Sequence, residues 1–345
     1  MRFRGVLAGV LALGVTTGCS SSIGEESSKD PFTLPVGTTR WDADAPSWFH
    51  DGTLHVGDRT VELGDKVERF ALGATGVYWM RGETLMFTSV EGRTQKVEKV
   101  VWDNMATSAD HSVFATVDQS RGPKDEFGTR AIQVAAFDTR TGEQLYRTPD
   151  EKPDEDDDLA DLYEETMPLL AGVSNERLFF DDTTIDLSDG SVSRSDEVGD
   201  ETVIYDGYTE TLFHDGYPIG VKGEGRHREV DKAPEFANGR LSPDRSTLFQ
   251  VDVTPADAVV YDAKTGRGRA IDAPWDHFTL SGWSDKDTFF GVAQQTVSPT
   301  DGTVRASQAV TCELRTLACK PVSPVIPENE EASALVMEGD STSPL

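Results

Sequence analysis

Six histidines, three cysteines and a long run of carboxylates are the groups in this 345-residue chain that could carry chemistry. The histidines, His50, His55, His111, His214, His227 and His277, are scattered. None falls in the H-E-x-x-H spacing that sets two imidazoles on one helix face for a metal. His50 and His55 straddle the Asp51-Gly52 turn and bring no second ligand set. No Gly-x-Ser-x-Gly elbow offers a nucleophile, and Gly220-Val-Lys-Gly-Glu-Gly225 reads as a loop, not a phosphate cradle opening a helix. The densest feature runs from Asp150 to Glu165, with ten acids and one lysine. Asp154, Asp156 and Asp158 alternate as in a calcium loop, but Leu159 stands where that loop needs glycine. The run therefore reads as a solvated insertion at about 149–167, with a short helix from Leu159 to Met167. Asp154, Glu155, Asp156, Asp157 and Asp158 are its candidate contacts to a basic partner. With 61 acids in the chain, no chosen carboxylate pair points to acid–base catalysis. No catalytic residue, metal site or cofactor follows from the sequence.

Charge narrows the partners. Against 61 acids stand 32 Lys and Arg, for a net charge of −29, which excludes a nucleic-acid binder because phosphate recognition needs a basic face. Sixteen Phe, seven Tyr and six Trp can furnish a core, while 31 Gly and 17 Pro favour many short turns. Beyond the N-terminus no apolar run reaches the roughly 18 residues of a membrane helix.

The N-terminus reads as an address. Arg2 and Arg4 precede the apolar stretch Val6–Val15, as in a secretory signal. Thr16-Thr17-Gly18-Cys19 follows directly, then Ser20, Ser21 and Ser22. This resembles the lipobox of bacterial lipoproteins, actinobacterial ones among them, with Thr16 where leucine is usual. The resemblance implies a signal peptide at 1–18, a palmitate-bearing lipid on Cys19, and residence on the extracytoplasmic face of the membrane. Residues 19–37 then read as a flexible tether and 323–345 as a disordered tail. With Cys19 lipidated, Cys312 and Cys319 remain as a pair. A four-residue loop from Leu314 to Leu317 would set them opposite at a non-hydrogen-bonded site suited to a disulfide; a two-residue turn would oppose them less favourably.

Between lie repeats. Gly76-Val-Tyr-Trp-Met80 with Thr84-Leu-Met-Phe-Thr88, Ser108–Val117, Ser174–Phe180, Ser242-Pro-Asp244 running on to Val251, and Ser284–Val292 share one pattern: small residues, a polar turn, then an aromatic-rich strand. Phe137-Asp-Thr-Arg-Thr-Gly142, Ile185-Asp-Leu-Ser-Asp-Gly190 and Tyr261-Asp-Ala-Lys-Thr-Gly266 form a second signature, in which Asp caps a turn and Gly supplies positive φ. Turn centres at Asp51, Gly76, Asp110, Asn175, about Glu210, Asp244 and Asp285 fit seven units. The chain resembles bacterial WD40-like and PQQ-like β-propellers over residues 38–322, which implies an all-β propeller of seven four-stranded blades, with six or eight open. A large β-sandwich or two smaller β domains is the competing architecture. Trp41-Asp42, Trp102-Asp103 and Trp275-Asp276 do not occupy matching blade positions, so the strict WD40 pattern fails. The quinoprotein pattern fails too, for want of a docking Trp (Tyr146 is the nearest) and of vicinal cysteines. The expectation is a non-enzymatic module that binds a protein or cell-envelope partner. The alternative is a propeller that binds a sugar, quinone or metal, or hydrolyses a substrate, at its central channel. Thr38–Phe49 is the candidate segment for closing the ring on the last blade.

Overall fold

Tight turns set the architecture. Asp51 and Gly52 sit at φ of 47° and 81°, the left-handed pair of a type I′ hairpin, so His50 pairs directly with Thr53. The computed structural model describes residues 33–338 except 43–44, 65–66, 83, 98–103, 109, 119–120, 154–157, 166–169, 181–182, 195–201, 206–209, 215–216, 222–238, 243–245, 251–258, 263–267, 272–274, 297–303 and 328–334. Over these residues antiparallel strands form seven sheets in chain order.

The first sheet contains β1 (Ser47–His50), β2 (Thr53–Val56) and β3 (Arg59–Glu62); the second is β4 (Arg69–Gly73), β5 (Gly76–Arg81), β6 (Thr84–Ser89) and β7 (Thr94–Lys96). The third is β8 (Met105–Thr107), β9 (Val113–Asp118), β10 (Gln133–Asp138) and β11 (Gln144–Arg147). A helix, α1 (Leu159–Glu165), precedes the fourth, made of β12 (Leu170–Val173), β13 (Arg177–Phe180), β14 (Thr183–Asp186) and β15 (Val192–Arg194). The fifth has β16 (Thr202–Tyr205), β17 (Glu210–His214) and β18 (Tyr217–Val221). The sixth has β19 (Gly239–Leu241), β20 (Thr247–Gln250), β21 (Val259–Asp262) and β22 (Gly268–Ala270). The seventh has β23 (His277–Asp285), β24 (Thr288–Thr296), β25 (Val304–Glu313) and β26 (Cys319–Pro321), with β27 (Ile326–Pro327) also pairing β25. The last strand, β28 (Val336–Met337), returns to β1 and becomes the first strand of the first sheet.

Alternation along a strand explains how the sheets pack. Successive side chains point to opposite faces. In β5, Val77 and Trp79 enter a core shared with Phe49, Leu54 and Val61 of the first sheet, while Tyr78 and Met80 enter one shared with Phe114, Ala135 and Phe137 of the third. A middle strand buried on both faces must be apolar without interruption, which accounts for the run Gly-Val-Tyr-Trp-Met. The Trp79 indole keeps its hydrogen bond there, donating to Thr88 Oγ1 at 2.9 Å. The outer strand β7 (Thr-Gln-Lys), by contrast, is exposed throughout. The leading strands β28, β4, β8, β12 and β16 neighbour one another in turn, and Trp48 and Met337 pack on Phe290 and Val292 of the seventh sheet. The fold is an all-β propeller.

The structure departs from the sequence-based expectation at both ends of the chain. Leu34 is buried, and its N–H donates to Gly142 O at 2.8 Å, so the last residues of the expected 19–37 tether are packed. The expected 323–345 tail contributes β27 and β28. Thr38–Phe49 does not close the ring by pairing with the last blade: Trp48 and Phe49 pair with Met337 and Val336 of β28, inside the first sheet itself. Because β28 supplies the leading strand, Asp51 marks the second turn of its sheet, not the first, and is not equivalent to Gly76, Asp110, Asn175, Glu210 and Asp285; Asp244 lies outside the described residues. The Cys312–Cys319 pair is a disulfide across β25 and β26, with Cα atoms 4.0 Å apart; Glu313 N donates to Ala318 O inside it, leaving Leu314–Leu317 as a four-residue loop. Arg269 of β22 donates to Leu314 O and Arg315 O in that loop, at 2.8 and 3.0 Å, and so ties the sixth sheet to it.

Two outcomes are expected on chemical denaturation. Removing residues 328–345 exposes the partners of Val336 and Met337 and lowers stability by about 3–6 kcal/mol, whereas removing 20–32 leaves it unchanged. Replacing both Cys312 and Cys319 by alanine lowers it by about 2–3 kcal/mol, from the chain entropy of so short a loop.

Candidate functional site

In an antiparallel four-strand meander the first and third turns lie at one end and the second turn and the sheet-to-sheet connection at the other. The third sheet carries unusual structure at both ends.

At the first end, chain closure is locked by a carboxylate. Glu338 follows β28, and its Oε1 accepts from Leu72 N at 2.7 Å and Thr107 Oγ1 at 3.2 Å. Its Oε2 lies 3.1 Å from His111 Nε2, and both side chains are largely buried. Burial works against the charged carboxylate. The charge and hydrogen bond of His111, with the Leu72 N–H and the Thr107 hydroxyl, outweigh it and hold Glu338 below its ordinary pKa. His111 is carried on the β8–β9 turn at φ 55°. That turn is shaped by Asp110, which accepts from Ser108 Oγ at 2.9 Å and Ser112 N at 3.0 Å, and by Asn175 of the next sheet, which donates to it at 3.1 Å. Thr139 joins it from β10's far end, donating to His111 O at 2.6 Å and accepting from Ala74 N at 3.1 Å.

The entering chain crosses the same end. Tyr78 donates to Pro35 O at 3.1 Å, Thr75 Oγ1 accepts from Gly37 N at 3.0 Å, and Trp41 Nε1 donates to Gly73 O at 2.8 Å. Burial, with the Asp138 charge, raises the Tyr78 pKa and keeps the phenol a donor. Hydrogen bonds from Thr39, Ser89 and Thr38 hold the exposed Glu91 carboxyl down to about 2. The Asp-x-x-Thr-Gly turn does structural work here. Asp138 Oδ1 accepts from the N–H groups of Arg140 and Thr141, each at 2.8 Å, and Gly142 takes φ 76°. A Cβ on Gly142 would stand 2.2 Å from Leu34 O.

The other end holds the acidic insertion. Its root is fixed by Gln133, which donates to Asp150 Oδ1 at 2.7 Å and Thr148 O at 3.1 Å, and by Arg147, which bridges Asp118 and Gln133 beneath it. Its helix is docked on the β9–β10 connection: Leu159 is buried, Leu159 N donates to Asp125 Oδ2 at 3.1 Å, and Ile132 N donates to Tyr163 Oη at 2.9 Å. Of the helix expected from Leu159 to Met167 the described part is Leu159–Glu165, with Met167 outside the described residues, and this helix is seated on the β9–β10 connection. Of the five candidate contacts, Asp154, Glu155, Asp156 and Asp157 lie outside the described residues. Asp158 caps the helix, accepting from Ala160 N at 3.1 Å. Sequence reading passed over Asp125, Gln133, Arg147, Tyr163 and Glu338. Only Asp125, with Gly128 three residues on, carried a turn signal.

The remaining sites divide similarly. Cys19 and His227 lie outside the described residues. His55 stacks on Trp48 with ring centroids 3.7 Å apart. Burial lowers its pKa, Glu62 opposes this, and His50 reinforces it. Among the described residues no three metal-ligating side chains gather, and no helix is long and apolar enough to cross a membrane.

No protein-family model matches the chain, and no curated protein matches it. Among solved structures, the chain is similar to TolB from Acinetobacter baumannii, at 10% identity and a TM-score of 0.41, covering 84% of this chain and 64% of that one. It is similar to an oligogalacturonate lyase in complex with manganese, at 13% and 0.44, covering 81% and 82%. The Cps50 (Swd1) β-propeller domain of Myceliophteria thermophila follows at 8% and 0.37, covering 76% and 98%. The chain thus spans less than two thirds of that TolB chain. Likenesses this distant leave the function to be argued from the chain's own residues.

The closure end has a pH signature. A carboxyl held below its ordinary value stabilises the fold fully above the unfolded value of 4.5, and that contribution is lost as pH falls through the folded value. Glu338→Gln is expected to cost about 1–3 kcal/mol near neutral pH and to flatten the acid limb of the stability curve below pH 4.5. An unchanged limb, measured by denaturation across pH, would show that Glu338 does not lock the ring.

Proposed function

We propose that this protein is a seven-bladed propeller, anchored by a lipid on Cys19 to the extracytoplasmic face of the membrane, that binds a protein or cell-envelope partner without chemistry of its own. The observation that carries this reading is the seated insertion. A propeller end is a rigid base for loops, and loops on rigid bases are where recognition residues sit. Here the connection from β11 to β12 is lengthened, strongly acidic, and held by Asp125, Gln133 and Tyr163. A group of like charges so placed attracts basic partners and speeds their encounter, with an effect that weakens as salt rises.

Chemical cross-linking in intact cells followed by mass spectrometry tests the binding role. One recurrent partner, joined through the 150–165 insertion or one propeller face, is the expected result; no partner above background overturns it. Anchoring is tested separately. Cys19→Ala is expected to move the protein from the membrane to the soluble fraction, and retention in the membrane would count against the lipid.

A further inference from the structure

Two apolar side chains stand out of the acidic end of the third sheet. Phe127 is 64% exposed and Leu162 is 50% exposed, two of six large exposed apolar residues among the described residues. Single exposed apolar residues are ordinary, but two on one docked unit are not scattered. Phe127 stands in a closed turn, in which Asp125 N donates to Thr129 O at 2.9 Å and Thr129 N donates to Asp125 Oδ1 at 2.7 Å. The other oxygen of the same carboxylate accepts from Leu159 N, at the start of the helix that carries Leu162. One residue, Asp125, therefore fixes both platforms. Leu162 lies one position before Tyr163, whose hydroxyl returns to Ile132 N on the Phe127 loop. Leu159 and Tyr163 turn inward at helical spacing, and Leu162 remains outside them.

We infer that Phe127 and Leu162 form an apolar docking pair for a basic, amphipathic polypeptide segment of a protein partner. This rests on the partner-binding reading above and deepens it. The charge around the pair chooses the occupant: Glu126, Asp150, Glu151 and Asp161 are exposed on the same unit and outnumber its exposed cations, Lys124 and Lys152. Carboxylates attract any cation at long range, so acidity alone selects little. Apolar side chains add affinity only for a ligand that brings its own apolar face within contact, and the acidic rim then favours lysine or arginine beside that face. An anionic lipid surface is repelled by the same rim.

The test uses the full-length protein and two synthetic probes, a helical Leu/Lys peptide and its counterpart with every Leu replaced by Ser. Binding is read by fluorescence anisotropy. Phe127→Ser with Leu162→Ser is expected to weaken the Leu/Lys peptide about ten-fold or more, to leave the Ser/Lys peptide unchanged, and to preserve the thermal midpoint. Phe127→Tyr with Leu162→Met is expected to retain wild-type affinity. Equal affinity of the Ser variant and the wild type for the Leu/Lys peptide overturns the proposal, as does Phe127- and Leu162-dependent binding to uncharged lipid vesicles. The two readings fail separately. A partner that still cross-links in cells to the Ser variant leaves the binding module standing and removes the docking pair. A wild type with no cross-linked partner removes the module itself.

Discussion

The backbone pairing of Trp48 and Phe49 with Met337 and Val336 is the bond on which the ring depends. Two residues make a short strand, and their pairing alone would fray. Alternation makes it sufficient. Val336 packs with the cores of the first and second sheets, Met337 packs with Phe290 and Val292 of the seventh, and so one short strand is bolted to both neighbours of the seam. Glu338 then fastens the same strand to β4 and to the turn after β8 through three hydrogen bonds to its two oxygens. A largely buried carboxylate is stable in this position because three hydrogen bonds, one of them to His111, offset the loss of water.

The two ends of the third sheet have been put to different uses. At one end, short turns, small residues and Asp or Thr side chains bring neighbouring sheets and the entering chain into close register. At the other end, the β9–β10 and β11–β12 connections are long and support one another through side chains. The buried Asp118–Arg147 pair with Gln133 lies under this second arrangement and holds its root. An ion pair removed from water needs its remaining hydrogen-bonding capacity filled, and Gln133 fills it with one amide group facing both ways.

Much of the fold was legible because the same local chemistry recurs. Asp138 and Asp186 each bind the N–H two residues on, and each is followed by a glycine at positive φ, so one reading of a hairpin served twice. Aromatic runs such as Val77–Met80 announced strands buried on both faces, and the spacing of Cys312 and Cys319 announced a tight hairpin. What escaped was whatever gains its meaning from distance along the chain. Val336-Met337 lies in a polar stretch too short to show a strand period, and Glu338 resembles any of 61 acids until it meets Leu72, 266 residues away. The candidate site divides in the same way. The acidity of the insertion is written in its composition, whereas its docking through Asp125 and Tyr163 comes from a loop some 30 residues earlier.

A sheet assembled from both ends of the chain also imposes an order in time. As the polypeptide emerges from its N-terminus, β1 to β3 can form a meander, but its inner edge, with Trp48 and Phe49, stays unpaired until Val336 and Met337 arrive. The middle sheets, made of contiguous sequence, can settle first, and the seam is the final event. Any interruption of synthesis short of Val336 therefore yields a chain whose local structure is almost complete yet which presents a hydrophobic open edge to quality control. The seam can be buried only once Val336 and Met337 have been made.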